Sequence, residues 1–93
     1  MNALPDDYEF QFFKIDDDGS LVFMHENYSY EYGCVIPNIG DEIPCPISWI
    51  GTHKDIGLNG FLLIKRRVFF RAENRVAFIC NYHHAKKEDY ELF

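Results

Sequence analysis

The 93-residue chain has no apolar run approaching the roughly 18 residues that span a bilayer, no closely spaced cysteine pair and no surplus of positive charge. Its start, Met1-Asn2-Ala3-Leu4-Pro5-Asp6-Asp7, also lacks the basic head and apolar centre of a signal peptide, so a cytoplasmic protein without a membrane span is expected. Three cysteines, Cys34, Cys45 and Cys80, are an odd number at unrelated spacings, which fits reduced thiols better than a disulfide framework. Nine Lys and Arg face fifteen Asp and Glu, a net charge of −6. That balance argues against a general nucleic-acid binder and against attachment to an anionic membrane, since both draw their affinity from basic side chains. Repeats, linkers and low-complexity tracts are missing too, so residues 1–93 read as a single domain with loose ends at 1–7 and 84–93.

What the chain does have is aromatic side chains, 17% of its residues, including nine Phe and six Tyr. A domain of this size buries roughly 60–65% of the surface its unfolded form exposes, so these rings supply most of one modest core. Rings and β-branched side chains favour strands. The best-specified stretch runs from Phe61 to His83, where two apolar runs flank the polar gap Arg71-Ala72-Glu73-Asn74-Arg75, the length of a hairpin connection. In the second run Val76, Phe78, Cys80 and Tyr82 alternate with Ala77, Ile79, Asn81 and His83. In the first, Leu62, Ile64, Val68 and Phe70 share one face, interrupted by Arg66, and Phe61, Leu63 and Phe69 share the other. Such a strand is expected to be partly buried on both sides.

Upstream, Tyr8, Phe10 and Phe12 alternate with Glu9 and Gln11, and Phe13 and Ile15 then fall on the opposite face, which points to a bulge or to a strand passing under cover. Asp16-Asp17-Asp18-Gly19-Ser20 is turn chemistry, so residues 8–25 read as a hairpin. Tyr28, Tyr30 and Tyr32 alternate with Ser29 and Glu31 and predict a third strand with three rings on one face, ended by Gly33. Pro44 and Pro46 exclude a long central strand, residues 47–50 fit a short edge strand, and 51–60 fit a loop closed by an Asn59-Gly60 turn. The charged stretch 84–93 fits a short terminal helix or a tail. The expected fold is therefore mainly β: a small antiparallel barrel or half-barrel of five or six strands in meander order, with a short C-terminal helix as an option.

Pro37-Asn38-Ile39-Gly40-Asp41-Glu42-Ile43, followed after a gap by Gly60-Phe61-Leu62-Leu63-Ile64-Lys65-Arg66-Arg67-Val68-Phe69, resembles small uncharacterised bacterial single-domain β proteins, among them those encoded on integron mobile gene cassettes. The resemblance covers about a third of the chain and rests on turn and core residues. It implies a compact β-rich fold of unassigned activity and carries over no site residue.

No pattern specifies a reaction. Cys80 lies near His83 and His84, but in a strand Cys80 and His83 point to opposite faces, and no cysteine sits on a strained turn or helix start that would activate it. A zinc site from Cys34, Cys45, Cys80 and His83 or His84 would reach the ligand count without the usual paired spacing. Asp16-Asp17-Asp18-Gly19 looks like the start of a calcium loop, yet the twelfth position is Asn27, so a solvated turn is the plainer reading. No catalytic residue, metal or cofactor is expected.

Two groups point to binding instead. Lys65, Arg66 and Arg67, with Arg71 and Arg75, hold five of the nine cations and are interleaved with Phe69 and Phe70, as in barrels that stack single-stranded nucleic acid. The plainer alternative is the wet side of a hairpin. Tyr28, Tyr30 and Tyr32 form an aromatic strip suited to a protein partner or to self-association as a homodimer. The leading expectation is a non-enzymatic interaction module acting through that face. A small-ligand or oligonucleotide barrel using Lys65, Arg66 and Arg67, and an acidic immunity or inhibitor protein for a basic partner, are the alternatives.

Overall fold

The computed structural model describes residues 8–33, 35–46 and 58–92. The expected edge strand at 47–50, most of the loop after it, and Cys34 lie outside the described residues. Where apolar and polar residues alternate, the chain extends into five strands: β1 (Glu9–Ile15), β2 (Leu21–Tyr28), β3 (Glu42–Pro46), β4 (Leu58–Phe70) and β5 (Arg75–His84). The aspartate turn closes the first hairpin as its chemistry requires. The Asp16 N–H donates to the Ser20 carbonyl at 2.8 Å, and the Gly19 N–H donates to the Asp16 carbonyl at 2.9 Å. Gly19 adopts φ +85°, open to glycine without strain. A 3-10 turn, Arg71–Glu73, and a left-handed Asn74 close the second hairpin.

The strands form one sheet in the order β2-β1-β5-β4-β3, curled into a half-barrel. Neighbours are antiparallel except β1 and β5, which run parallel. The expected all-antiparallel meander is thus corrected to a mixed sheet. The cause is the connection after β2. Residues 28–32, expected as a third strand with its tyrosines on one face, instead finish β2 at Tyr28 and turn into a 3-10 segment, Ser29–Tyr32, ended by Gly33 at φ +65°. The chain then crosses the inner face and enters β3 at the far edge, so the second hairpin returns β5 to the open side of β1. Among the described residues no α-helix forms, and the expected C-terminal helix is replaced by the 3-10 stretch Lys87–Leu92. The expected Asn59-Gly60 turn is likewise corrected, because both residues belong to β4.

A bulge resolves the ambiguous apolar run. Ile64 pairs with Cys80 but Arg66 with Ile79, so Lys65 is an extra residue in β4. One extra residue exchanges the faces of everything beyond it. Leu62 and Ile64 therefore face the core, whereas Val68 and Phe70 lie on the outer face with Ala77 and Arg75, and the single-face reading of these four fails. A second bulge falls where β1 passes from Phe12 to Phe13, but its extra residue is Met24 in β2.

The core occupies the inner, concave face. Phe10, Phe12, Leu62, Ile64, Val76, Phe78 and Cys80 are fully buried there. The Phe12 and Phe78 rings stack at 4.9 Å, and Phe10 meets Phe78 edge-on at 5.3 Å. Burying each such ring contributes about 1.5–3 kcal/mol. The crossover lids this face: Tyr32 packs on Phe10 at 5.5 Å, Ile36 is buried, and the Arg67 guanidinium donates to the Pro37 carbonyl at 3.1 Å. The crossover also joins the sheet, since the Gly40 N–H donates to the Ile64 carbonyl and the Ile64 N–H donates to the Asp41 carbonyl.

Candidate functional site

The sheet has two outer edges, and the sequence treats them differently. β3 is short and carries Pro44 and Pro46, which lack the N–H that an added strand needs. β2 has no proline, and among the described residues its only sheet neighbour is β1.

Alternation places Leu21, Phe23, Glu26 and Tyr28 of β2 on the outer face, opposite Ile15, Phe13, Gln11 and Glu9 of β1. Leu21 and Phe23 are about half exposed, at 50% and 52%, and Ile15 is 38% exposed. The Phe23 ring meets Phe13 edge-on at 5.6 Å, and Phe13 lies beside Ile79 of β5. The result is an apolar patch on the flank of an open edge. Beyond the polar Gln11 and Glu26, at the other end of β2, the exposed rings of Tyr28 and Tyr30 stack at 5.9 Å and nearly parallel, 6° apart.

The three tyrosines of the expected strip do not share a face. Tyr28 and Tyr30 are exposed, while Tyr32 turns inward against Phe10 and Phe12, where burial pushes its hydroxyl up to about 12 and a hydrogen bond to Asn27 at 3.4 Å holds it. The basic cluster is also divided. Lys65 sits at the bulge, Arg66 is exposed on the outer face beside Ile79, and Arg67 reaches the inner side, bound to Pro37 and Asn38. Arg75 stacks over Phe70 at 3.8 Å and is tied to Glu73 and Gln11. Phe69 and Phe70 point to opposite faces. A continuous platform for stacked bases therefore does not assemble from these residues.

In the sequence Phe13, Ile15, Leu21 and Phe23 are simply hairpin residues, and the patch they form comes from the pairing of β1 with β2. Its signal was there: Phe13 and Ile15 put apolar groups on the face where Glu9 and Gln11 are polar.

Other groups are occupied with structure. Burial pushes the Cys80 thiol up to about 12 and raises that of Cys45, so both stay protonated near neutrality. His83 lies on the outer face, stacked on Phe61 at 5.5 Å and bound to Glu42 at 2.6 Å, away from Cys80. An open hollow of about 350 Å³ lies between Tyr32 and the crossover. Its polar side chains already have partners: Asp41 accepts from the Asn38 N–H at 2.8 Å, Asn38 accepts from Arg67, Glu42 is bound to His83 and the Tyr32 hydroxyl to Asn27. Among the described residues no buried side-chain N or O atom lacks a partner, and no three His, Cys, Asp or Glu side chains converge as metal ligands. No helix among them is long and apolar enough to cross a membrane. No protein-family model, curated protein or solved structure matches the chain.

Proposed function

We propose that this chain is a non-enzymatic interaction module of the cassette-encoded bacterial kind it resembles, and that it recognises a protein partner along β2. One observation carries the reading: a proline-free edge strand whose flank exposes Leu21 and Phe23 beside Ile15, and Tyr28 at its other end, while the opposite edge is blunted by two prolines. Edge strands present unpaired backbone groups and are normally protected, so an open edge with large apolar side chains is a docking surface unless it is covered. A purely structural role would not require Phe23 to stand half exposed.

Panning a random peptide display library against the chain tests the proposal. Enrichment should disappear for Phe23→Lys and Leu21→Ser and survive Ile39→Ser, which alters an equally exposed apolar residue elsewhere. Enrichment that ignores the β2 variants, or none at all, would sink the reading.

A further inference from the structure

The chemistry around β2 says what kind of partner fits. From residue 14 to residue 31 the chain has five acids, one lysine and no arginine. The lysine, Lys14, lies 3.7 Å from Asp16. Asp17, Asp18 and Glu26 have no cationic partner within ion-pair distance among the described residues. At the far end of the strand Glu9 lies opposite Tyr28 and close enough to Glu26 that the two carboxyls interact, and burial first and then Glu26 raise the Glu9 pKa. Arg75, next to Glu9 on β5, is already engaged by Glu73, Gln11 and the Phe70 ring. The Tyr28–Tyr30 stack stands beside these carboxylates. Acidic groups next to exposed aromatic faces suit a lysine or arginine, which gains both ion pairing and attraction to the ring.

Resting on the interaction-module reading, we infer that the partner of β2 is a cationic, extended protein segment that seats a Lys or Arg between Glu26 and the Tyr28–Tyr30 stack and covers Leu21 and Phe23 with apolar side chains. A second copy of this chain fits poorly. Twofold symmetry requires antiparallel pairing of two β2 strands, which sets the Asp16-Asp17-Asp18 turn of one copy against Glu9 and Glu26 of the other, between molecules of charge −6. A phosphate backbone meets the same repulsion.

The test titrates the isotope-labelled chain with short capped peptides of alternating Val and Lys, Val and Gln, or Val and Glu, followed by NMR and repeated at low and high salt. The Val-Lys peptide should shift residues of β2 together with Tyr30, bind less tightly in high salt, and lose about two- to fivefold in affinity with Glu26→Gln, the range of one exposed ion pair. The Val-Glu peptide should not bind. Equal binding of the Val-Gln and Val-Lys peptides would overturn the charge selection and leave the docking surface standing. Sedimentation equilibrium showing a dimer that Phe23→Lys dissociates would overturn it in favour of a second copy. If no peptide moves β2 and the chain stays monomeric, the interaction-module reading itself fails.

Discussion

At the scale of single residues, burial and neighbouring charge decide which side chains are available for chemistry. Cys80 is sealed beneath the sheet, and its thiol, pushed up to about 12, is a core hydrophobe. With Cys34 replaced by Ser, so that only Cys45 and Cys80 are followed, thiol reagents at pH 7 should react at a rate that tracks unfolding; prompt modification of the native protein would contradict this. Since the folded value lies above the unfolded one of 9.0, the fold favours the protonated thiol. That contribution is complete below pH 9 and is lost as pH climbs toward 12. Alkaline denaturation curves of wild type and Cys80→Ala should therefore converge as pH rises. Glu9 reports the opposite side of the sheet. Its pKa is raised, first by burial and then by Glu26, against the pull of Arg75. The folded state thus prefers the protonated carboxyl, and ionisation above its pKa is a small penalty. Glu9→Gln should raise the thermal midpoint at pH 7, with the gain vanishing below about pH 4, where both forms are neutral.

At the scale of elements, the decisive events are local departures from alternation. Alternation puts Arg66 and Arg67 on different faces, and the extra residue Lys65 decides which goes where, making Arg66 an exposed cation on the outer face and Arg67 a structural clamp on the crossover. Gly60 shows the same dependence on close approach. A Cβ there would run into the His83 carbonyl and come within 2.8 Å of the Tyr82 ring. Gly60→Ala should cost about 1–3 kcal/mol, because the obstacle is the backbone of the neighbouring strand rather than a movable side-chain tip. In a domain of this size that corresponds to a fall of about 4–8 °C in thermal midpoint per kcal/mol. An unchanged midpoint would show that β4 and β5 are more loosely paired than their register indicates.

At the scale of the whole molecule, the rings Phe10, Phe12 and Phe78 join β1 to β5 at the centre of the sheet, the parallel contact through which the two hairpins share one core. Phe78→Ala should cost about 3–5 kcal/mol by leaving a cavity between the hairpins. A large share of a marginal stability of about 5–15 kcal/mol is then at risk, and chemical denaturation would measure it. Both hairpins were legible in the residues. Asp16-Asp17-Asp18-Gly19 and the gap at 71–75 are short-range turn signals, and period-two alternation marks the strands beside them. The burial of Phe61 outside the inner core agrees with the expectation that β4 is partly buried on both sides, and Ala77 and Ile79 on the outer face of β5 are buried as well. What alternation does not encode is which hairpin lies beside which. Tyr28, Tyr30 and Tyr32 have the spacing of a strand, yet a capping interaction from Glu31 to the Tyr28 N–H at 2.8 Å and the inward pull of Tyr32 on Phe10 and Phe12 turn the chain there. That turn sends β3 to the far edge and leaves β2 open. The sequence by itself determined strands, turns and the supply of rings, because those depend on neighbours a few residues apart. Strand order, the bulge at Lys65 and the exposure of Phe23 were decided only in three dimensions, where competition for one small core settles which apolar faces remain outside.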